Sequence, residues 1–526
     1  MTDRRVFIKN LSLGAVGCGI LSKKNPFWPG PIPGDPWLIP RSKPELQGVS
    51  SAGILNFINA IKESGQEFHS IMILRHGFVI AEGWWYPYSS GHRQQLYSLS
   101  KSFTGTAIGL AIAEGLLSVE DNVLRFFPGE EPGEISENLR MLKVKHLLSM
   151  SVGQPKDAIL LLENSPKGES WAKTFLSLPI DFAPGSQFLY NSGASYMLSA
   201  IITKLTGQSA HQYLQKRFYE PLHITGATWT QNAEGINMGA SHLRIRTEDI
   251  AKLGLLYVQN GKWNGKQILS RDWVAVATAK QMESGHYNNS WGYGYGYQFW
   301  LNPPGGYRAD GAYGQYSMVF PAQDTVVAIT SESVDKAVTM QLVWDKLFPE
   351  LQNDKVLPGQ PDQWNLLQQA LGSLHYDPPE MMTSSLQSPL ISGKMYVLDK
   401  NEFSTKAVSF QFISDKCIFT LVEEGKPDIV VTCGMNHWII EGNLKPEAHS
   451  LFSLRRIDFD SKIAASCTWS DQHTLILTFR FIETTHGDSL TCFFDNDRIR
   501  IKFLFSAARM EKRQDDRPDI TGRVML

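Results

Sequence analysis

Between Phe103 and Leu117 the sequence runs apolar on nearly every helical face, which leaves that helix one place to go. A helix without a polar side belongs in the core, and Gly105 and Gly109 let other backbones approach it closely. The polar turn ahead of it, Tyr97-Ser98-Leu99-Ser100-Lys101-Ser102, is therefore held against a rigid support. Residues three apart on a helix share a face with Cβ atoms about 5–6 Å apart, so the Lys101 amine reaches the Ser98 hydroxyl. A serine hydroxyl is a poor nucleophile without a base. A partly desolvated lysine, or a tyrosine whose pKa a lysine has lowered, can serve. Unpaired N–H groups at the helix start would favour an alkoxide and a developing oxyanion. The same Ser-x-x-Lys spacing recurs at Ser170/Lys173 and Ser333/Lys336 in more polar surroundings, where a solvated helix end or turn is expected.

A second stretch, Ala183-Pro184-Gly185-Ser186-Gln187-Phe188-Leu189-Tyr190-Asn191-Ser192-Gly193, precedes a helical pattern from Tyr196 to Leu205. Pro184-Gly185 forces a turn, which puts Tyr190 and Ser192 on a loop at the helix entrance. As a phenolate, Tyr190 would take the Ser98 proton and return it to a leaving group. With an ordinary pKa of about 10, it needs a cation beside it, and Lys101 is the candidate. The alternative is a buried tyrosine with a satisfied hydroxyl. Tyr287-Asn288-Asn289 is a rival Tyr-x-polar pattern with no helix behind it. The third stretch runs from Arg308 to Pro321 and contains Gly311-Ala312-Tyr313-Gly314-Gln315. Glycines inside a strand-like run mark close approach of a ligand or another backbone. A strand edge with its N–H facing the site would complete an oxyanion hole, ordinary hairpin glycines being the alternative.

The 526 residues carry a net charge of −2, a length for two to four domains without the basic footprint of a nucleic-acid partner. Residues 1–22 have the layout of an export signal. Arg4-Arg5 resembles a twin-arginine motif, and the apolar run Leu11 to Leu21 is too short to span a bilayer. An amphipathic first helix is the alternative. Ala15-Val16-Gly17-Cys18 resembles a loose lipoprotein box with Cys18 acylated. On these features the protein is expected to be exported and bacterial, periplasmic or anchored to the membrane through Cys18. Prolines crowd residues 23–44, a linker or an arm laid over the next domain. Residues 45–350 open with a helical pattern, Ile54, Phe57, Ile58, Ile61. A hairpin pattern follows, Ser70 to Leu74 and Phe78 to Ala81 around His76-Gly77. Hairpin followed by helices points to an antiparallel sheet with a helical subdomain, an α+β fold.

With these stretches in order, the chain resembles the serine hydrolases of the class C β-lactamase and penicillin-binding protein group, including their esterase, D-peptidase and 6-aminohexanoate-dimer hydrolase relatives. The resemblance runs from about Glu45 to Glu350 and includes Leu142-Lys143-Val144-Lys145-His146-Leu147-Leu148-Ser149-Met150 and Thr247-Glu248-Asp249-Ile250-Ala251-Lys252-Leu253-Gly254. It implies a β-lactamase-like sheet with Ser98 as acylated nucleophile, Lys101 as its charge partner and Tyr190 as general base and acid. Ser192 would take the polar third position of the tyrosine motif, and the N–H groups of Ser98 and Ala312 would hold the oxyanion. Where relatives carry Lys-Thr-Gly or His-Thr-Gly, this sequence reads Ala309-Asp310-Gly311. An acid there would repel a β-lactam carboxylate, and Gly311 to Gln315 looks more like the esterase and amide-hydrolase branch. Trp291, Tyr293, Tyr295, Tyr297 and Trp300 suggest an apolar-walled acyl pocket, with core packing the alternative.

Residues 351–388 read as a linker with a short helix from Trp364 to Leu374. Period-two patterns then fill 389–510, as in Leu475-Ile476-Leu477-Thr478-Phe479-Arg480-Phe481. They argue an all-β sandwich or small barrel, which resembles the lipocalin-like domain appended to some exported serine hydrolases. Residues 511–526 read as a charged, mobile tail. Cys417, Cys433, Cys467 and Cys492 allow three disulfide pairings or none, and buried small residues are the alternative. No zinc spacing, His-Glu-x-x-His or phosphate loop is present, so no metal or other cofactor is expected. The expected activity is hydrolysis of a small ester, amide or peptide through an acyl-enzyme. D-amino-acid peptidase or weak β-lactamase action is the alternative within enzymes, and a non-catalytic envelope ligand-binding protein the alternative outside them.

Overall fold

The structure, a computed structural model, describes residues 39–285, 287, 289–444 and 461–525. The expected export signal at 1–22, with Cys18, and residues 23–38 of the proline-rich linker lie outside the described residues. Where description begins, Arg41 bridges Val79 in parallel and pairs with Glu82 and Glu248, laying this segment along the first domain.

Helix α1 (Ser51–Glu63) starts at Ser50, whose hydroxyl accepts from the Gly53 N–H, and buries Ile54, Phe57, Ile58 and Ile61 on one face. Strands β1 (Glu67–Arg75) and β2 (Phe78–Trp84) form a hairpin turned by His76 and Gly77, both with positive φ. The apolar helix is α2 (Ser100–Ala113), buried at every residue from Ser100 to Ala111. It stops at Ala113, short of Leu117, because Gly115 takes a left-handed φ of 72°. Gly109 is required, since a Cβ there would lie 2.4 Å from the Trp273 indole. Helix α3 (Ser192–Thr206) starts four residues before the expected Tyr196, because the Asn191 side chain caps it by accepting from the Ala194 N–H. Helix α4 (Thr247–Val258) follows. The chain then returns to the sheet through β3 (Trp300–Leu301), β4 (Tyr307–Gly311), β5 (Gln315–Phe320) and β6 (Thr325–Glu332).

The sheet order is β2-β1-β6-β5-β4-β3, antiparallel throughout. Side chains alternate across a strand, so Ile71 and Ile73 pack with α1, whereas Met72 and Leu74 join the core that holds α2, α3 and α4. Helix α5 (Lys336–Leu342) adds Met340 to the α1 side. In the linker, α6 (Pro361–Gly372) begins at a proline, which suits a first helical position, and sinks Leu367 and Leu371 into the α1-side core.

The C-terminal region is a ten-stranded sheet of β7 (Met395–Leu398), β8 (Thr405–Ile413), β9 (Lys416–Glu423), β10 (Ile429–Met435), β11 (Ile439–Leu444), β12 (Ser461–Trp469), β13 (Thr474–Phe481), β14 (Gly487–Asp495), β15 (Arg498–Phe505) and β16 (Ile520–Val524), most of it closed into a barrel. Nine strands close through a parallel contact of β10 with β12, and β11 pairs outside the ring on β12. Aromatic rings fill the interior, with Phe410 5.4 Å from Phe494 and Phe494 5.9 Å from Trp469 between centroids. Cys417, Cys433, Cys467 and Cys492 are free and buried in this core. The expected mobile tail is overturned. Residues 511–526 contain β16, which pairs with β7 and β15 and buries Ile520. Its inward Ile520 and Gly522 alternate with outward residues, a short period-two signal masked by the charged residues ahead of it.

Barrel and sheet domain meet across buried charge. Arg480 donates to Glu67 and lies among the rings of Tyr88, Tyr376 and Trp438. Burial raises the Glu67 pKa, but the opposing Arg480 charge and His69 outweigh it and hold the carboxyl well below its ordinary range.

Candidate active site

Ser98 lies in the 3-10 turn Tyr97–Leu99 that runs directly into α2. One turn on, the buried Lys101 Nζ sits 3.0 Å from Ser98 Oγ, 3.3 Å from Ser192 Oγ and 3.0 Å from the Ala240 carbonyl. The Tyr190 phenol lies near enough to Ser98 for the serine hydroxyl to lower its pKa. Lys101 Nζ lies 4.9 Å from the centre of the Tyr190 ring, which stacks on Trp300 at 5.6 Å. Helix periodicity on α2 and the cap of α3 thus bring Ser98, Lys101, Tyr190 and Ser192 together.

Burial drives Lys101 from its ordinary 10.5 down to about 7; Asp157 opposes this, Lys336 adds to it and Asp310 opposes it. Burial also pushes the Tyr190 phenol well above its ordinary value, more than the nearby Ser98 hydroxyl lowers it. This is opposite to the lowering expected from a lysine neighbour. Near neutral pH this favours a partly neutral Lys101 amine beside an intact Tyr190 phenol.

Ala312 occupies the turn between β4 and β5. Gln315 Nε2 donates to its carbonyl at 3.1 Å and to that of Ser331 at 2.7 Å, fixing the turn, and Gly314 takes φ 85° within it. Gly311 is a close-approach glycine, since a Cβ there would fall 2.2 Å from the Leu96 carbonyl oxygen. It lets β4 close onto the Ser98 turn. Asp310 does not act as the repelling acid expected from the sequence. Its carboxylate is paired with Arg308 Nε at 3.1 Å and Lys336 Nζ at 3.1 Å, and accepts from the Trp291 indole at 2.7 Å.

The rival motifs separate. Ser170 caps a short helix and donates to Glu130. Ser333 donates to Gln66, while Lys336 turns to Asp310. Tyr287 packs edge-on against Trp300 at 5.8 Å. Of the aromatics from 291 to 300, Tyr295, Tyr297 and Trp300 are core and Tyr293 is half exposed, and none of them lines the cavity at Ser98. A cavity of about 550 Å³ opens at Ser98, lined from the sheet domain by Tyr97, Lys101 and Tyr313 and from the C-terminal region by His486, Phe505 and Arg517. Their separation in sequence is why aromatic clustering pointed elsewhere.

The beta-lactamase family model matches residues 61–348, more than half of the chain. The chain belongs to the beta-lactamase family of serine hydrolases. Among relatives, the 6-aminohexanoate-dimer hydrolase of Paenarthrobacter ureafaciens is 23% identical over 287 residues, 51% of this chain and 73% of that one. Protein flp of Staphylococcus aureus (strain MRSA252) is 27% identical over 176 residues, 31% of this chain and 35% of that one. The chain spans 35% to 65% of the length of three curated relatives, flp among them. The octameric penicillin-binding protein homologue from Pyrococcus abyssi superposes with a TM-score of 0.46 at 15% identity, over 89% of this chain and 99% of that one.

This beta-lactamase-family site also rests on residues that sequence reasoning missed. Asp157 Oδ1 accepts from the N–H groups of Ser192 at 2.8 Å and Gly193 at 3.3 Å, which anchors the start of α3. Gln298 ties α2 to α3: its carbonyl accepts from Ser102 Oγ and its Oε1 from Ser195 Oγ, both at 2.6 Å. Neither carries a local signal, because their partners lie more than thirty residues away. Among the described residues no group of three or more His, Cys, Asp or Glu could hold a metal, and no helix is long and apolar enough to cross a membrane.

Proposed function

We propose that the chain hydrolyses an ester or amide through an acyl-enzyme on Ser98. The observation carrying this reading is the buried Lys101 amine, 3.0 Å from Ser98 Oγ and with its pKa near 7. Neutral Lys101 takes the Ser98 proton as Oγ bonds to the substrate carbonyl carbon. The N–H groups of Ser98 and Ala312 receive the oxyanion, and Gly311, Gly314 and Gln315 support their turn. As the tetrahedral species collapses, the bond to the leaving alcohol or amine breaks, and that group takes the proton from Lys101 through the Tyr190 hydroxyl, with Ser192 holding the ammonium. Water then attacks the acyl carbon, giving its proton back through the same pair, and the acid departs with Ser98 restored.

Lys336 beside Asp310 supports a second reading, D-amino-acid peptidase or weak β-lactamase activity, because it offers a cation to a substrate carboxylate. The ring-filled barrel interior gives no support to a ligand-binding lumen. We read the barrel as a lipocalin-like appended domain and the enzyme as exported, periplasmic or held to the membrane through Cys18. Loss of membrane association in Cys18→Ser is the expected sign of that anchor. For the chemistry, a fluorophosphonate should label Ser98, and Ser98→Ala should lose turnover while keeping its fold. Full activity in Ser98→Ala would end the reading, and a fluorescent penicillin adduct on Ser98 would favour the second one.

A further inference from the structure

The turn between β13 and β14 reaches out of the barrel into the hydrolase site. Gln95 N–H donates to the Glu483 carbonyl at 3.1 Å, and Arg93 grips the Glu483 carboxylate at 2.9 and 3.0 Å. At the end of this turn His486 is buried. Its Nδ1 lies 2.6 Å from Glu332 Oε1, which also accepts from Ser506 at 2.5 Å, and its Nε2 lies 2.7 Å from the Tyr97 hydroxyl. A carboxylate only accepts, so Nδ1 carries the hydrogen toward Glu332, and in the neutral ring Nε2 accepts from the phenol. The imidazole also meets Tyr313 edge to face, with centroids 4.6 Å apart, and Tyr97 meets Tyr313 at 5.4 Å.

Both tyrosines have left-handed backbones, φ 49° for Tyr97 and 59° for Tyr313. That conformation is disfavoured for bulky residues and persists only where surroundings impose it. Tyr97 immediately precedes Ser98 and Tyr313 immediately follows Ala312, so each left-handed residue flanks one of the two N–H groups assigned to the oxyanion. One barrel side chain touches both.

We propose that His486 is a positioning residue for acyl transfer: by holding Tyr97 and Tyr313 it fixes the Ser98 and Ala312 N–H groups at the separation an oxyanion requires. The inference rests on the Ser98 acyl-enzyme reading and makes the barrel part of the working site. A donor pair set loose by about an ångström weakens the transition state more than the ground state, so the loss falls on kcat.

The test measures kcat and KM on p-nitrophenyl acetate and the rate of Ser98 labelling by a fluorophosphonate, in the full chain. His486→Ala and Tyr97→Phe should each lower kcat and labelling about tenfold or more, with KM changed less than about threefold. The double variant should be no worse than His486→Ala, and His486→Gln, which keeps a polar atom near the phenol, should recover part of the loss. Arg93→Ala, cut from the same interface without touching either tyrosine, should keep wild-type kcat. Wild-type labelling in His486→Ala, additive losses in the double variant, or an equal loss in Arg93→Ala would overturn the proposal. If His486→Ala does not fold, Tyr97→Phe, which leaves every interface ion pair in place, decides alone. A wild-type chain that takes no adduct on Ser98 would instead overturn the acyl-enzyme reading, and the inference with it.

Discussion

Lys101 couples the site's chemistry to the stability of the chain. Its pKa is 10.5 unfolded and about 7 in the folded site, so between those values the unfolded chain binds the extra proton. Stability therefore rises with pH from about 7 to about 10.5, as the cost of burying a charged amine disappears. Lys101→Met should stabilise the protein at pH 6 by on the order of a few kcal/mol, with the margin shrinking toward pH 10 in thermal unfolding. An equal margin at both ends would show that burial is not what lowers the lysine. The neutral amine is also the form that accepts a proton, so kcat/KM should climb with pH along a limb centred at about 7. Lys101→Arg, which cannot deprotonate, should lose at least about a hundredfold in kcat.

Between elements, the site depends on how closely β4 and α3 meet the Ser98 turn. Gly311→Ala sets a Cβ 2.2 Å from the Leu96 carbonyl oxygen, and strand or turn must give way. The expected cost is about 1–3 kcal/mol of stability with at least a tenfold drop in kcat, read by unfolding and by ester turnover. Asn191→Ala removes the α3 cap and the acceptor for the Ala158 N–H at 3.1 Å, for about 1 kcal/mol or more. These elements differ in how legible they were. The Ser98–Lys101 pair showed because helix spacing is local, and the barrel strands showed because period two survives in Leu475, Leu477 and Phe479. Tyr190 was marked by the Pro184-Gly185 turn. What stayed hidden depends on meetings between distant segments: Lys336 with Asp310, Gln298 with Ser195, and His486 with Tyr97. The length of α2 was misjudged because apolar Leu116 and Leu117 continue past Gly115, whose left-handed turn had already ended the helix.

At the scale of the whole chain, Arg480 is one of the charges that join the two domains, beside Arg93 on Glu483. Arg480→Ala would leave the buried Glu67 with only the more distant Arg509, 3.8 Å away, as its cation, at a cost of up to about 3–5 kcal/mol, seen as a lower unfolding temperature. Because Glu67 is held below its ordinary 4.5, its contribution is present above that pH and is lost as acid protonates it toward its lower folded value. The variant should therefore lose stability less steeply than wild type below pH 4.5. The barrel also sets a race during folding. Cys417, Cys433, Cys467 and Cys492 sit behind closed walls, with burial raising the thiols of Cys433 and Cys492, and so have almost no reactive thiolate once the ring is shut. Before closure the same four groups are open to oxidant. Native protein should shrug off glutathione disulfide that sharply lowers the yield of refolding, so the barrel's safety in an oxidising medium is decided by how fast it closes.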